Sequence, residues 1–193
     1  MKARVSIFVL IVAVGALALG ACGGSKSKDQ QASDLLNQGL QQHVDGKLDE
    51  ASATYRQVLV KDPQNKFAFY NLGLIDQTQN KLQSAENNYR LALNVDPDYE
   101  PALFNLAIVR TAAGAPQEAI GLYRHAILVA PDIAGAHLNL GLLLRTAGQV
   151  PEGDAEVKVA IQLDPSLAQR DVPAASPTPS AGPGAAPTPT PAG

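Results

Sequence analysis

Four asparagines stand 34 residues apart along this chain of 193 residues: Asn37, Asn71, Asn105 and Asn139. A carboxamide offers both a donor and an acceptor, so a column of them can pair with a peptide backbone whatever its side chains. The residues that usually carry catalysis show no such order. His43, His125 and His137 fall at different places in the same period, and no two have metal-ligand spacing on one helix. Asp62, Asp96 and Asp164 each precede a proline and are turn formers. The chain has no P-loop, no GxSxG and no CxxC. The expected chemistry is recognition: no enzyme activity, no catalytic residue, no metal and no cofactor.

The period of the asparagines belongs to the whole middle of the chain. The stretch KFAFYNLGLIDQTQNKLQSAENNYRLALNVDPDY, residues 66–99, has companions in register at 32–65, 100–133 and 134–167. Such a fixed period marks a helical repeat array. The eighth column holds Gly39, Gly73, Ala107 and Gly141, and the twentieth holds Ala51, Ala85, Ala119 and Gly153. Small residues there let two antiparallel helices approach near the short end of the usual range of about 8–10 Å. The fifteenth column, Gly46, Asn80, Gly114 and Gly148, contains types that accept a left-handed backbone after a helix. The twenty-fourth, Tyr55, Tyr89, Tyr123 and Val157, supplies a large apolar knob. The thirty-second, Pro63, Pro97, Pro131 and Pro165, cannot continue a helix. Each copy therefore reads as helix, tight turn, helix, stop.

This pattern resembles the tetratricopeptide repeat, whose period, small-residue pair, aromatic and closing proline all match. The bulky fourth-position residue of that family is here Leu35, Phe69, Leu103 and His137, and there is no tryptophan. The resemblance implies an all-α, right-handed solenoid of helix pairs, with a concave groove lined by each repeat's first helix. It also implies which residues line that groove. At the fifth position stand Leu36, Tyr70, Phe104 and Leu138, at the ninth Leu40, Leu74, Ile108 and Leu142, with the asparagines at the sixth. Asparagine columns of this kind resemble the ladders by which some tetratricopeptide superhelices hold extended peptides. The alternative is that asparagine is simply favoured at this position by the family. A carboxylate clamp for acidic C-termini would need groove lysines or arginines, and only Arg145 qualifies. Apolar and amide contacts should dominate binding.

Residues 1–21 carry Lys2 and Arg4, an apolar run from Val5 to Leu19, then small residues. That is the layout of a secretory signal peptide. Leu19-Gly20-Ala21-Cys22 resembles the bacterial lipobox, in which the cysteine is acylated and becomes the mature N-terminus. Cys22 is the only cysteine in the chain. An uncleaved transmembrane anchor is the alternative, but the apolar run falls short of the roughly 20 residues that a spanning helix needs. Either way the repeats are expected outside the cytoplasm, lipid-anchored at a cell membrane or outer membrane. Residues 22–31 read as the acylated cysteine and a polar tether. Residues 168–193, rich in proline, alanine and threonine, read as a disordered tail that favours extended segments.

The formal net charge is −3, which argues against a nucleic-acid partner. In repeat 1, Gln38 and Gln42 stand where repeat 4 has Leu140 and Leu144, and suit the polar face of a capping repeat. After repeat 4 no full capping helix follows, so Val157, Ile161 and Leu163 offer an apolar end. The expected function is an envelope lipoprotein that scaffolds a protein or peptide partner. The alternatives are a structural protein that dimerises through repeat 4 and an accessory to an envelope enzyme or pilus machine.

Overall fold

The computed structural model describes residues 26–169. Eight helices and no strand occur among them: α1 Lys28–Val44, α2 Leu48–Lys61, α3 Lys66–Thr78, α4 Leu82–Val95, α5 Glu100–Ala112, α6 Pro116–Val129, α7 Ala134–Thr146 and α8 Val150–Leu163, followed by a short 3-10 helix, Pro165–Gln169. Each odd-numbered helix packs on the even-numbered one after it, and each even-numbered helix packs on the next repeat. The result is an all-α solenoid whose core runs between the helices as three linked clusters of buried side chains.

The turn inside each repeat follows from the fifteenth column. Gly46, Asn80, Gly114 and Gly148 have φ of 75°, 58°, 72° and 82°. The residue after each reaches back to close a Schellman motif, as when the Lys47 amide donates to the Gln42 carbonyl at 2.9 Å. At the corners between repeats the chain turns extended at Asp62, Asp96, Ala130 and Asp164. The three aspartates each accept from the backbone amide two residues on, at 3.0–3.2 Å, and proline follows.

The first helix begins earlier than the repeat boundary. Ser27 caps α1, its Oγ accepting from the Gln30 amide at 3.1 Å. Residues 28–31, read above as tether, are therefore helical, because a serine cap and Asp29 in the first turn favour helix there. Cys22 and the rest of the segment before Lys26, like the proline-rich stretch after Gln169, lie outside the described residues.

Candidate functional site

The columns assigned to the groove all map to the first helices, α1, α3, α5 and α7, and α3 touches α5 directly. Burial divides them. Tyr70, Asn71, Leu74, Phe104, Asn105 and Ile108 are buried, as are Leu36 and Leu142. Leu40, Leu138 and Asn139 are half-buried, and Asn37 is exposed. The cause is the size of the fifth-position residues. Phe104 reaches the next repeat, where a Cβ added to Gly135 would lie 3.4 Å from its ring. Tyr70 does the same, accepting at its hydroxyl from Asn105 Nδ2 at 3.2 Å. Tyr70 of repeat 2 thus covers the asparagine of repeat 3, and Phe104 of repeat 3 lies against the start of α7.

Beneath that cover, the asparagines are tied to their own helices. Asn71 Nδ2 donates to the Phe67 carbonyl at 2.8 Å, and Asn105 Nδ2 to the Pro101 carbonyl at 2.9 Å. These carbonyls sit one turn earlier, so each asparagine spends an amide hydrogen on its own helix, and Asn105 gives its other one to Tyr70. The acceptor half is left over: Asn71 Oδ1 and Asn105 Oδ1 are buried with no hydrogen-bond partner. The other buried orphans among the described residues are His43 Nδ1, on α1, and the Tyr55 hydroxyl. His43 and Tyr55 meet edge to face, with ring centroids 6.4 Å apart. Burial lowers the pKa of His43 and raises that of Tyr55. The matching tyrosines of the next two repeats are satisfied. Tyr89 donates to Gln77 Oε1 at 2.6 Å. Burial pushes Tyr123 up to about 12, against hydrogen bonds with Thr111 and Asn139 that lower it.

The exposed part of this face is largely uncharged. Asn37, Val44, Thr78, Ala112 and Thr146 are exposed along the four first helices, and Gln77 and Thr111 are half-buried beside them. Arg145 is exposed too, but its guanidinium holds Asp154 at 2.6 Å. A surface of amides, hydroxyls and methyls over unsatisfied acceptors can take a peptide backbone and small apolar side chains. It offers no charge pattern for a carboxylate.

His137 takes its packing role. It is buried, with Nδ1 at 2.6 Å from Glu156 Oε2 and Nε2 at 3.0 Å from the Pro131 carbonyl. His125 lies apart from the groove, 2.8 Å from Asp98. No group of three or more His, Cys, Asp or Glu among the described residues could hold a metal ion. Gln38 is exposed as a cap should be, whereas Gln42 turns toward α2 and accepts from Thr54 Oγ1 at 2.7 Å. At the other end, Leu167 of the 3-10 helix is 7% exposed, and Val157 is buried with it. Ile161 is half-buried, which leaves Leu163 as the exposed member of that apolar set.

Sequence reasoning missed a ring of four charged side chains on α4, α5 and α6. Arg90 binds Glu86 and Glu118 at 3.0 and 2.5 Å, and Arg110 binds the same two carboxylates at 2.9 and 2.7 Å. The ring joins repeat 2 to repeat 3. Its signal was Arg-Glu spacing across the repeat boundary, which a column-by-column reading passes over.

The tetratricopeptide repeat family model matches residues 70–130 and 113–168. None of the curated proteins matches the chain. Among solved structures, MamA is 23% identical, with 72% of this chain and 81% of that one covered and a TM-score of 0.64. The pilF protein of Pseudomonas aeruginosa is 23% identical over 74% and 67%, with a TM-score of 0.65. An O-GlcNAc transferase of Thermobaculum terrenum is 25% identical over 62% of this chain but only 23% of its own length, with a TM-score of 0.57.

Proposed function

The chain belongs to the tetratricopeptide repeat family, and from that premise we propose that it is an envelope lipoprotein that holds an extended segment of a protein partner along its first helices. Arrays of this family are protein-interaction scaffolds, and the repeat region is of that non-enzymatic kind. The observation that carries the groove is the set of buried polar atoms without partners, three of the four belonging to first helices. A buried acceptor left unmade costs about 1–3 kcal/mol, and a backbone N–H brought in by a ligand would relieve it. Asn71 and Asn105 stand one repeat apart, so an extended segment could meet both once the side chains above them, Tyr70 over Asn105 among them, shift.

The test uses exposed positions, so that folding is not in question. Val44→Asp with Thr78→Asp should abolish partner capture from membranes, while Gln117→Asp on α6 keeps it. Retained capture in the first variant, with an unchanged melt, would move binding off this face. The anchor is a separate matter, supported by the apolar run and the lone cysteine. Cys22→Ala should lose palmitate labelling and accumulate as precursor. Labelling that survives the change removes the lipid anchor from the account.

A further inference from the structure

Three of the four buried polar atoms without a partner among the described residues belong to the place where repeat 1 meets repeat 2: His43 Nδ1 on α1, the Tyr55 hydroxyl on α2 and Asn71 Oδ1 on α3. The later repeats settle the same positions. Tyr89, the counterpart of Tyr55, donates to Gln77 Oε1, and Gln77 stands where repeat 1 has His43. Tyr123 is hydrogen-bonded with Thr111, in that position again, and with Asn139, the asparagine of the following repeat. The same steps in register lead from Tyr55 to His43 and to Asn71. Yet His43 and Tyr55 meet only through their rings, edge to face, with centroids 6.4 Å apart and planes at 71°. Gln42 does not stand in for His43, since its Oε1 accepts from Thr54. The orphans thus number three between repeats 1 and 2 and one, Asn105 Oδ1, between repeats 2 and 3. Between repeats 3 and 4 there is none among the described residues.

Three such atoms call for one small group. Asn71 Oδ1 needs a hydrogen, and the bond from its Nδ2 to the Phe67 carbonyl fixes which end of the amide is oxygen. The Tyr55 hydroxyl needs a lone pair. His43 Nδ1 needs another in the tautomer that protonates it, and burial disfavours the charged ring. A hydroxyl supplies all three from a single atom, its hydrogen to Asn71 and its two lone pairs to Tyr55 and His43. A backbone N–H has no lone pair to offer, and a carboxylate has no hydrogen. A carboxamide has both, but spread over two atoms, so it displaces more of a closed site. Tyr55 and Asn71 are fully buried. His43 is half-buried in the last turn of α1, beside the exposed Val44, so it is the side chain that turns to admit a group. Asn71 Oδ1 has a second lone pair, which a backbone N–H can share.

We propose that the junction of α1, α2 and α3 is a hydroxyl socket, in which His43, Tyr55 and Asn71 select a serine or threonine of the bound segment. The proposal rests on the groove reading above and adds a side-chain specificity to it. Its test is selection of random dodecapeptides, displayed on phage, by the full chain in mild detergent. Enriched sequences should hold serine or threonine at one fixed position. In a synthetic copy of such a peptide, alanine at that position should weaken binding about tenfold. Against His43→Gln, which copies the pairing of Gln77 with Tyr89, and against Tyr55→Phe, the same alanine should matter less than about twofold. Both variants remove orphans, so their melts should lie no lower than the parent's. A lower melt in both would mean that these atoms are already bonded, which overturns the socket. An alanine penalty that either variant keeps overturns it too. So does a fixed asparagine or glutamine, or no fixed polar position, in peptides that Val44→Asp with Thr78→Asp no longer binds; the groove then stands without the socket. No enrichment, or binding that Val44→Asp with Thr78→Asp leaves intact, takes down the groove and the socket together.

Discussion

In repeat 2, Gly73 lies against the ring of Tyr89, and a Cβ built on it would stand 2.6 Å from Cε1. In repeat 4 the same column is Gly141, and its added Cβ would stand 2.7 Å from the carbonyl oxygen of Gly153. One pair of helices is held apart by a tyrosine, and the other meets backbone to backbone. Repeat 4 has Val157 where the others have tyrosine, and Gly153 where they have alanine. The two departures explain each other: a smaller knob lets the helices close, and only glycine leaves room for the closure. A degenerate repeat is therefore a second solution to the same packing problem, reached by changing two columns together.

The largest expected effect tests that difference. Gly141→Ala should cost about 3 kcal/mol, since a carbonyl oxygen cannot turn aside as a ring can. Gly73→Ala should cost no more than about 1 kcal/mol, because Tyr89 can tilt and alanine favours the helix. Denaturant melts in the reverse order would break the comparison. Next, Ala119→Leu in repeat 3 should overpack a fully buried crossing and cost about 2 kcal/mol. Gln117→Leu, exposed on the same helix, should stay within about 0.5 kcal/mol.

Junctions differ as well as pairs. Between repeats 2 and 3, Arg110 is only 22% exposed and sits in a closed ring with Glu86, Arg90 and Glu118. Between repeats 3 and 4 the corresponding link is the single exposed pair of Arg124 and Glu152. Arg110→Ala should cost about 1 kcal/mol, and Arg124→Ala should have no measurable effect. Equal costs would mean that the ring adds nothing beyond one surface pair.

The smallest effect concerns Glu100, at the start of repeat 3. Burial, with Asp132 nearby, raises its pKa above the ordinary carboxylate range. An acid raised in the folded state holds protons that the unfolded chain has released, so stability falls as pH rises through that range. Glu100→Gln should melt slightly higher than the parent at neutral pH, and the gap should close below pH about 4. A gap that is independent of pH would contradict the assignment.

The repeat columns carried most of the fold, because period, small-residue pairs, left-handed turn residues and closing prolines all constrain the backbone locally. Gly46, Asn80, Gly114 and Gly148 adopt the positive φ that their types allow. What the columns did not carry was occupancy between repeats. Nothing in the spacing of Asn71 or Asn105 says that Leu36, Tyr70 and Phe104 are long enough to matter to the next repeat. That depends on side-chain volume across a junction 34 residues away, which only packing reveals.

The central claim is that the first helices hold a partner, and photocrosslinking tests it most directly. A photoreactive residue placed at Thr78 or Ala112, both exposed on first helices, should join the full chain to a partner polypeptide in intact cells. The same group at Gln117 on α6 should give no such product. The adducts from Thr78 and Ala112 should map to one extended segment of the partner. Crosslinks from Gln117 with none from Thr78 or Ala112 would contradict the account and give the binding role to the second helices.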